Sequence, residues 1–393
     1  MNTTFRAGAA VLTFLIGIGL ATALAFKRTE PSINPVDLNN ESPTLEMVFV
    51  LDTTGSMGGL LEGAKQRIWG IVNEVMQSQS HPAVKIGLVA YRDRGDRYVT
   101  QVLPLTEDLD KVYTTLMEYE ASGGGDAPED VRRALADGVQ KAGWSRSTSR
   151  LAQVLFLVGD APPHNDYQDE EDTLVTAGQA VEQGILVNTI QCGNASDTKQ
   201  VWESIAQRGQ GQYFAIPQTG GVQAIATPYD EDLSKLGSKL GGTYLAYGGG
   251  VGAEGDRFRA DARKTAEVSE TTVAESAPAE ARALRSINKA VNAKAYIGDL
   301  LQNIENGSVK LESVAEADLP EDLKKLSPTE RKQEIDKRLA ERKEIRNQIL
   351  ALSKQRNDYI AAQQKKQGGT GQNSFDVAVS TALKEQLAKK GIK

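Results

Sequence analysis

The sequence predicts an α/β protein: a doubly wound, mostly parallel sheet with one antiparallel hairpin strand, followed by a separate all-α C-terminal region. From Leu45 to about Gly248, near-continuous apolar runs alternate with amphipathic stretches, the pattern of strands covered on both faces. Two of those runs, Val84–Arg92 and Arg97–Leu105, are joined by too few residues for a crossover, so they form an antiparallel hairpin. The glycine-rich string Gly248–Gly255 then ends the alternation, and beyond it the apolar spacing is helical.

Each element has a local reason. Arg6, an uncharged stretch from Ala7 to Phe26 and Lys27-Arg28 make residues 1–28 a signal peptide or an N-terminal membrane anchor. Ala23-Leu24-Ala25 offers small residues for cleavage, while the run is long enough to span a bilayer if retained. Either way the rest of the chain is expected outside the cytoplasm, in the periplasm or on the cell surface, secreted or tethered by residues 7–26. Residues 29–44, with Pro31, Pro35 and Pro43, read as a polar tether.

Within residues 45–248, strands are predicted at Met47–Leu51, Val84–Ala90, Tyr98–Leu105, Leu151–Val158, Ile185–Ile190 and Gln212–Ile216. Helices are predicted at Leu60–Met76, Leu109–Tyr119, Glu129–Ala142, Asp172–Gln183 and Thr198–Arg208. The GxGxxG string that follows lacks the preceding strand and βαβ setting of a dinucleotide loop, so residues 249–278 read as a flexible linker. In the helical region, 279–393, Leu284, Ile287, Val291, Leu300 and Ile304 recur at roughly helical spacing. Ser327-Pro328-Thr329-Glu330 reads as a helix start, with Ser at the N-cap, Pro at N1 and Glu at N3. The helix it opens runs past Tyr359, and its apolar positions hold no strict heptad, favouring a hairpin or bundle over a coiled coil. Gln367–Ser374 is a break before a last helix, Phe375 to about Lys389.

Composition narrows the function. The net charge of −7 over 393 residues argues against a nucleic-acid binder. The single cysteine, Cys192, cannot form an intrachain disulfide and reads as a core thiol. Two histidines, His81 and His164, leave little for His-rich zinc sites, and no HExxH motif is present. Ser56 lacks a GxSxG frame, and Gly58–Lys65 lacks the ending of a P-loop. Nothing assembles a nucleophile, a base and an orienting group, so no enzymatic activity is expected.

The segment that carries chemistry is Asp52-Thr53-Thr54-Gly55-Ser56, directly after the apolar run Met47–Leu51. It sets the carboxylate of Asp52 and the hydroxyls of Thr54 and Ser56 on one tight turn, where their oxygens can converge on a small hard divalent cation, Mg²⁺ first, with Mn²⁺ or Ca²⁺ as alternatives. Two of the three ligands are neutral, so a cation there stays electropositive and open to another carboxylate. Asp52 could instead only cap the helix that begins near Gly58.

Asp52-x-Thr54-x-Ser56 resembles the metal-ion-dependent adhesion site of von Willebrand factor type A domains. The likeness covers about Leu45 to Gly248. The hairpin Tyr91-Arg92-Asp93-Arg94-Gly95-Asp96, the loop Gly123-Gly124-Gly125-Asp126-Ala127-Pro128-Glu129 and Gly159-Asp160-Ala161-Pro162-Pro163-His164 further resemble a bacterial and protist branch of that family. The resemblance implies three ligand loops at the carboxyl ends of the strands, consistent with the crevice rule for open α/β sheets. It assigns Asp52, Thr54 and Ser56 to the first loop and Asp160 to the third. Many members carry a threonine in the second loop, whereas this chain offers Ser122, Asp126 and Glu129, of which Asp126 is preferred, with Glu129 in reserve. An acidic ligand there binds the cation more tightly but weakens its pull on a partner's carboxylate. Asp126 and Glu129 could equally cap the following helix. Asp93 and Asp96 fit turn geometry, Arg94-Gly95-Asp96 reads as a tight turn rather than an integrin ligand, and His164 reads as an ordered loop residue.

The expected function is an exported binding module whose cation captures an Asp or Glu of a protein partner. In that reading the membrane is met only through the N-terminal segment, and the helical tail serves oligomerisation or docking. The alternative is a structural or regulatory subunit in which the metal only stabilises the fold and the helical tail makes the interactions.

Overall fold

A computed structural model describes residues 43–78, 80–125, 128–221, 225–296, 298–366 and 374–392. The expected signal or anchor segment and nearly all of the tether lie outside the described residues. Among the described residues no helix is long and apolar enough to cross a membrane.

The sheet has six strands: β1 (Thr44–Asp52), β2 (Ala83–Tyr91), β3 (Thr100–Thr106), β4 (Leu151–Gly159), β5 (Ile185–Cys192) and β6 (Gln210–Ile216), in the order β3-β2-β1-β4-β5-β6. All pairings are parallel except β2 with β3, the predicted hairpin. After β1 the chain adds β2 and β3 on one side and β4 onward on the other. The order therefore reverses at β1, and a crevice opens at the carboxyl ends of β1 and β4.

Alternate residues of β1 serve opposite cores, as a period of two requires. Leu45, Met47, Phe49 and Leu51 join one cluster with Leu60, Trp69 and Val72 of α1 (Gly58–Met76) and Val112 and Leu116 of α2 (Leu109–Glu118). Val48 and Val50 join the other with Leu135 of α3 (Val131–Gln140), Ala177 of α4 (Thr173–Glu182) and Trp202 of α5 (Ser196–Arg208). Cys192 is buried in the first cluster, as the sequence predicts. The chain continues through α6 (Asp230–Gly241).

The residues expected as a flexible linker, 249–278, are instead mostly helical, α7 (Gly252–Ser276). Side-chain anchors account for this. Arg259 donates to the carbonyls of Gly248 (2.8 Å) and Ala317 (2.9 Å), and Ser269 donates to Asp110 of α2 (2.7 Å). The helical spacing from Leu284 to Ile304 is divided between α8 (Ala279–Val291) and α9 (Leu300–Glu305), with Asp299 capping α9 through the backbone N–H groups of Leu301 and Gln302. A short α10 (Glu321–Lys324) precedes α11 (Pro328–Lys366), whose start carries the predicted capping box: Ser327 N donates to Glu330 Oε2 (2.9 Å) and Glu330 N to Ser327 Oγ (3.4 Å). The last helix, α12, spans Phe375–Lys389.

The helical region is not separate from the sheet. Leu284 and Ile287 of α8, Ile345 and Ile349 of α11, and Phe375 and Val379 of α12 belong to the same buried cluster as Leu45 and Phe49. Residues 42–393 form one compact unit. The long α11 lies against α6, α8 and α9 of its own chain, so this face is not open to a coiled-coil partner.

Candidate cation site at the carboxyl ends of the strands

Asp52 ends β1, a central strand paired on both sides, and is fully buried. It does not cap α1, whose N-cap is Met57 without a side-chain bond. Its Oδ1 instead accepts from the backbone N–H (2.8 Å) and hydroxyl (2.7 Å) of Thr54. Thr54 Oγ1 lies 3.4 Å from Ser56 Oγ, so the three first-loop oxygens are brought together as the motif implies. The other Asp52 oxygen, Oδ2, is buried without a hydrogen-bond partner among the described residues. Burial raises the Asp52 carboxyl; the Thr54 bonds and the backbone dipole of Asp160 partly offset this, the Asp160 charge repels it, and its pKa is left at about 7.

The second loop delivers Glu129. Asp126, the preferred second-loop residue, lies outside the described residues. The predicted alternative for Glu129, capping α3, does not apply: Asp130 holds that position and accepts from Arg133 N. Glu129 is buried and pinned by its backbone, with N donating to Pro162 O (3.1 Å) and O accepting from His164 N (3.2 Å). Its carboxylate faces Thr54 across Gly124, where a Cβ would stand 3.1 Å from Glu129 Oε1 and 3.2 Å from Thr54 Cβ. Oε2 has no hydrogen-bond partner among the described residues. Burial first, then repulsion from Asp52, Asp93, Asp96 and Asp160, pushes this carboxyl up to about 9. Ser122, the third candidate, uses its backbone N–H to hold Thr53 O (3.0 Å).

Asp160 follows β4 in the third loop, and its approach depends on Gly159. A Cβ there would come 2.3 Å from the Tyr91 hydroxyl and 3.1 Å from Asp52 Oδ2. Asp160 is partly exposed and Ser56 exposed, whereas Asp52, Thr54 and Glu129 are buried. One residue that motif reading missed also reaches it: Gln218, after β6, donates from Nε2 to Asp160 Oδ2 (2.5 Å) and to Ser56 O (3.2 Å). A lone glutamine in a loop has no spacing signature.

The rim is internally satisfied. Gly95 takes the positive φ of the turn (93°). Arg94 bonds Asp130 (3.2 Å), Asp169 (3.0 Å) and Glu170 (3.0 Å) and covers the Tyr167 ring. Asp96 Oδ2 accepts from Gly124 N (3.0 Å), so both charges of Arg94-Gly95-Asp96 act within the fold. Asp93 accepts from the Tyr167 hydroxyl (2.9 Å), and His164 stacks on Tyr167, an ordered loop residue as predicted.

The donor set is all oxygen: buried carboxylate oxygens of Asp52 and Glu129 without hydrogen-bond partners among the described residues, the hydroxyls of Thr54 and Ser56, and Asp160 at the mouth. That chemistry fits a hard divalent cation and not a zinc-type site of nitrogen and sulfur.

Comparison with known proteins agrees with the fold. Residues 46–228 match the family model "von Willebrand factor A domain". Among curated proteins, von Willebrand factor A domain-containing protein 7 of Mus musculus and that of Rattus norvegicus are each 39% identical over 94 residues, covering 24% of this chain and 10% of the relative. The chain thus spans about a tenth of the length of these relatives. Among solved structures, the SpRpn10 VWA domain aligns at 15% identity and a TM-score of 0.34, covering 47% of this chain and all of that one. The sheet and the three loops thus belong to a von Willebrand factor A domain, residues 46–228 of this chain.

Proposed function

We propose that this protein is a binding module in which a divalent cation of the Mg²⁺ type, held by Asp52, Thr54, Ser56, Glu129 and Asp160, captures an acidic side chain of a protein partner. At the coarser level, a von Willebrand factor A domain is a protein-interaction module, and such domains generally bind divalent cations. The observation that carries the finer reading is Asp52 Oδ2, fully buried and without a hydrogen-bond partner among the described residues, in a cage of further oxygens. A buried carboxylate of this kind costs several kcal/mol unless a positive charge compensates it. A cation held by these residues would supply an electrophilic point for a partner's Asp or Glu. This chain's own residues do the rest. Thr54 fixes the Asp52 rotamer, Glu129 closes the floor, and Asp160 stands at the mouth, where a partner arrives.

The reading is non-enzymatic and extracytoplasmic. The first rests on His164 being held within the loop against Asp93, Asp166 and Tyr167, and the second on the uncharged stretch Ala7–Phe26. The alternative, in which the helical tail makes the interactions, is weakened because apolar faces of α8, α11 and α12 are already packed on the sheet.

Calorimetric titration of the full chain with Mg²⁺ and Mn²⁺ should give saturable binding at one site, lost in Asp52→Asn. Partner capture should then fall in chelator and in Thr54→Ala. Capture indifferent to both treatments would reject the cation-mediated mode.

A further inference from the structure

We propose that Gln218 is a positioning residue of the cation cage, acting through Asp160 and held in place by the C-terminal helix α12. The inference rests on the cation reading above and deepens it. The three-loop scheme makes no use of the segment after β6, yet that segment enters the site. Gln218 Nε2 donates to Asp160 Oδ2 (2.5 Å) and to the carbonyl of Ser56 (3.2 Å), so one amide clamps the third loop to the first. An NH₂ group is a pure donor and cannot ligate a cation. It can commit one carboxylate oxygen of Asp160 and orient the remaining lone pairs, the usual role of groups that hydrogen-bond a ligating carboxylate.

The fold makes room for this arm and then fixes it. At Gly193 (φ 80°), just after β5, a Cβ would stand 2.6 Å from Gln218 Oε1. Thr219 rides over the start of α1, where a Cβ on Gly59 would lie 2.9 Å from Thr219 Cα. The next carbonyl, Gly220 O, accepts from the backbone N–H of Phe375 (2.9 Å), the first residue of α12. The Phe375 ring is buried 5.9 Å from that of Phe49, which stacks on Phe156 at 5.4 Å. Phe49 and Phe156 belong to β1 and β4, the strands that end in Asp52 and lead into Asp160. A helix far along the chain thus seats the arm that aims the third-loop carboxylate.

The test is Mn²⁺ and Mg²⁺ titration of the full chain as wild type and as Gln218→Met, which keeps the exposed side chain's bulk and removes its donor. Gln218→Met should weaken cation affinity by about 10–100-fold, the range seen when such outer partners are lost. The cation-free unfolding midpoint should stay at the wild-type value, which separates positioning from a general loss of fold. Gln218→Ser, too short to reach Asp160, should behave alike. In an Asp160→Asn background, Gln218→Met should add no further loss, because the effect passes through that carboxylate. Affinity within twofold of wild type in Gln218→Met, or an equal loss in both backgrounds, would overturn the proposal while leaving the cation site standing. A wild-type protein that binds neither cation would overturn both.

Discussion

Two acidic clusters in this molecule solve the same problem in opposite ways. In the first, Asp110 of α2 and Glu270 of α7 meet Arg285 and Lys289 of α8. Arg285 grips Asp110 with two bonds (2.7 and 2.6 Å) and Glu270 with a third (2.6 Å), and Lys289 bonds Asp110 (3.0 Å) and Glu270. Burial raises the Asp110 carboxyl, but the two cations outweigh it and hold it well below the ordinary carboxylate range. In the second, Asp52 and Glu129 are also buried, but the charged groups acting on them are other carboxylates, and both pKa values rise. The first cluster is a finished joint between the domain and its helices. The second has no such partner among the described residues, and in the function proposed above a cation from outside completes it.

The largest effect should come from breaking the joint. Arg285→Ala leaves Asp110 and Glu270 facing each other and should cost about 3–5 kcal/mol, as for other broken buried pairs. Urea unfolding would measure it, and a loss under about 1 kcal/mol would mean that water reaches the cluster and the contrast is weaker than drawn.

Acid should act on the same joint. Because the folded pKa of Asp110 lies below its unfolded value of about 3.9, its contribution to stability is fully present above that pH and is lost as pH falls below it. The groups facing it are Arg285 and Lys289 from α8 and Ser269 and Glu270 from α7. Unfolding midpoints below about pH 4 should therefore fall more steeply in wild type than in Arg285→Ala.

The cation site should respond to a different reagent. At a concentration tenfold above the dissociation constant, Mg²⁺ should stabilise the wild type by about 1.4 kcal/mol. Asp52→Asn should remove that gain while raising stability in chelator, because it deletes a buried, uncompensated charge and retains the acceptor for Thr54. A midpoint in chelator lower than wild type would show that the Asp52 charge is already compensated by the fold. The joint around Asp110 should be indifferent to chelator.

The smallest effect is local. Ser327→Ala removes one half of the capping box at the start of α11 and should cost about 1 kcal/mol, independently of cation. A cation-dependent loss there would connect the start of α11, whose Ile335 lies in a separate buried cluster with Leu300 and Leu323, to the site.

The sheet was legible because its code is local. Val84–Ala90 and Leu151–Val158 read as strands and are strands, each extended by one or two residues, since a covered parallel strand must be apolar throughout. The hairpin followed from chain length alone, and the α11 start from four residues. The first-loop cluster was legible for the same reason: Asp52, Thr54 and Ser56 are neighbours in sequence. Glu129 was harder. Whether it capped a helix or faced Thr54 depended on Asp130 taking the cap, and adjacent acids cannot be ranked from the sequence.

Local order thus determined the strands, their hairpin, the helix starts and the first-loop oxygens, because periodicity, capping and turn chemistry act over a few residues. The tertiary structure decided what depends on distant partners. Arg342 and Arg356 break the apolar stripe of α11 in the sequence, yet both are buried, paired with Asp299 and Asp230. Residues 252–276 look like linker until Arg259 and Glu270 find their anchors. Gln218 means nothing until β6 lays it beside Asp160, for a charge or an amide acquires its role only from what the fold sets opposite it.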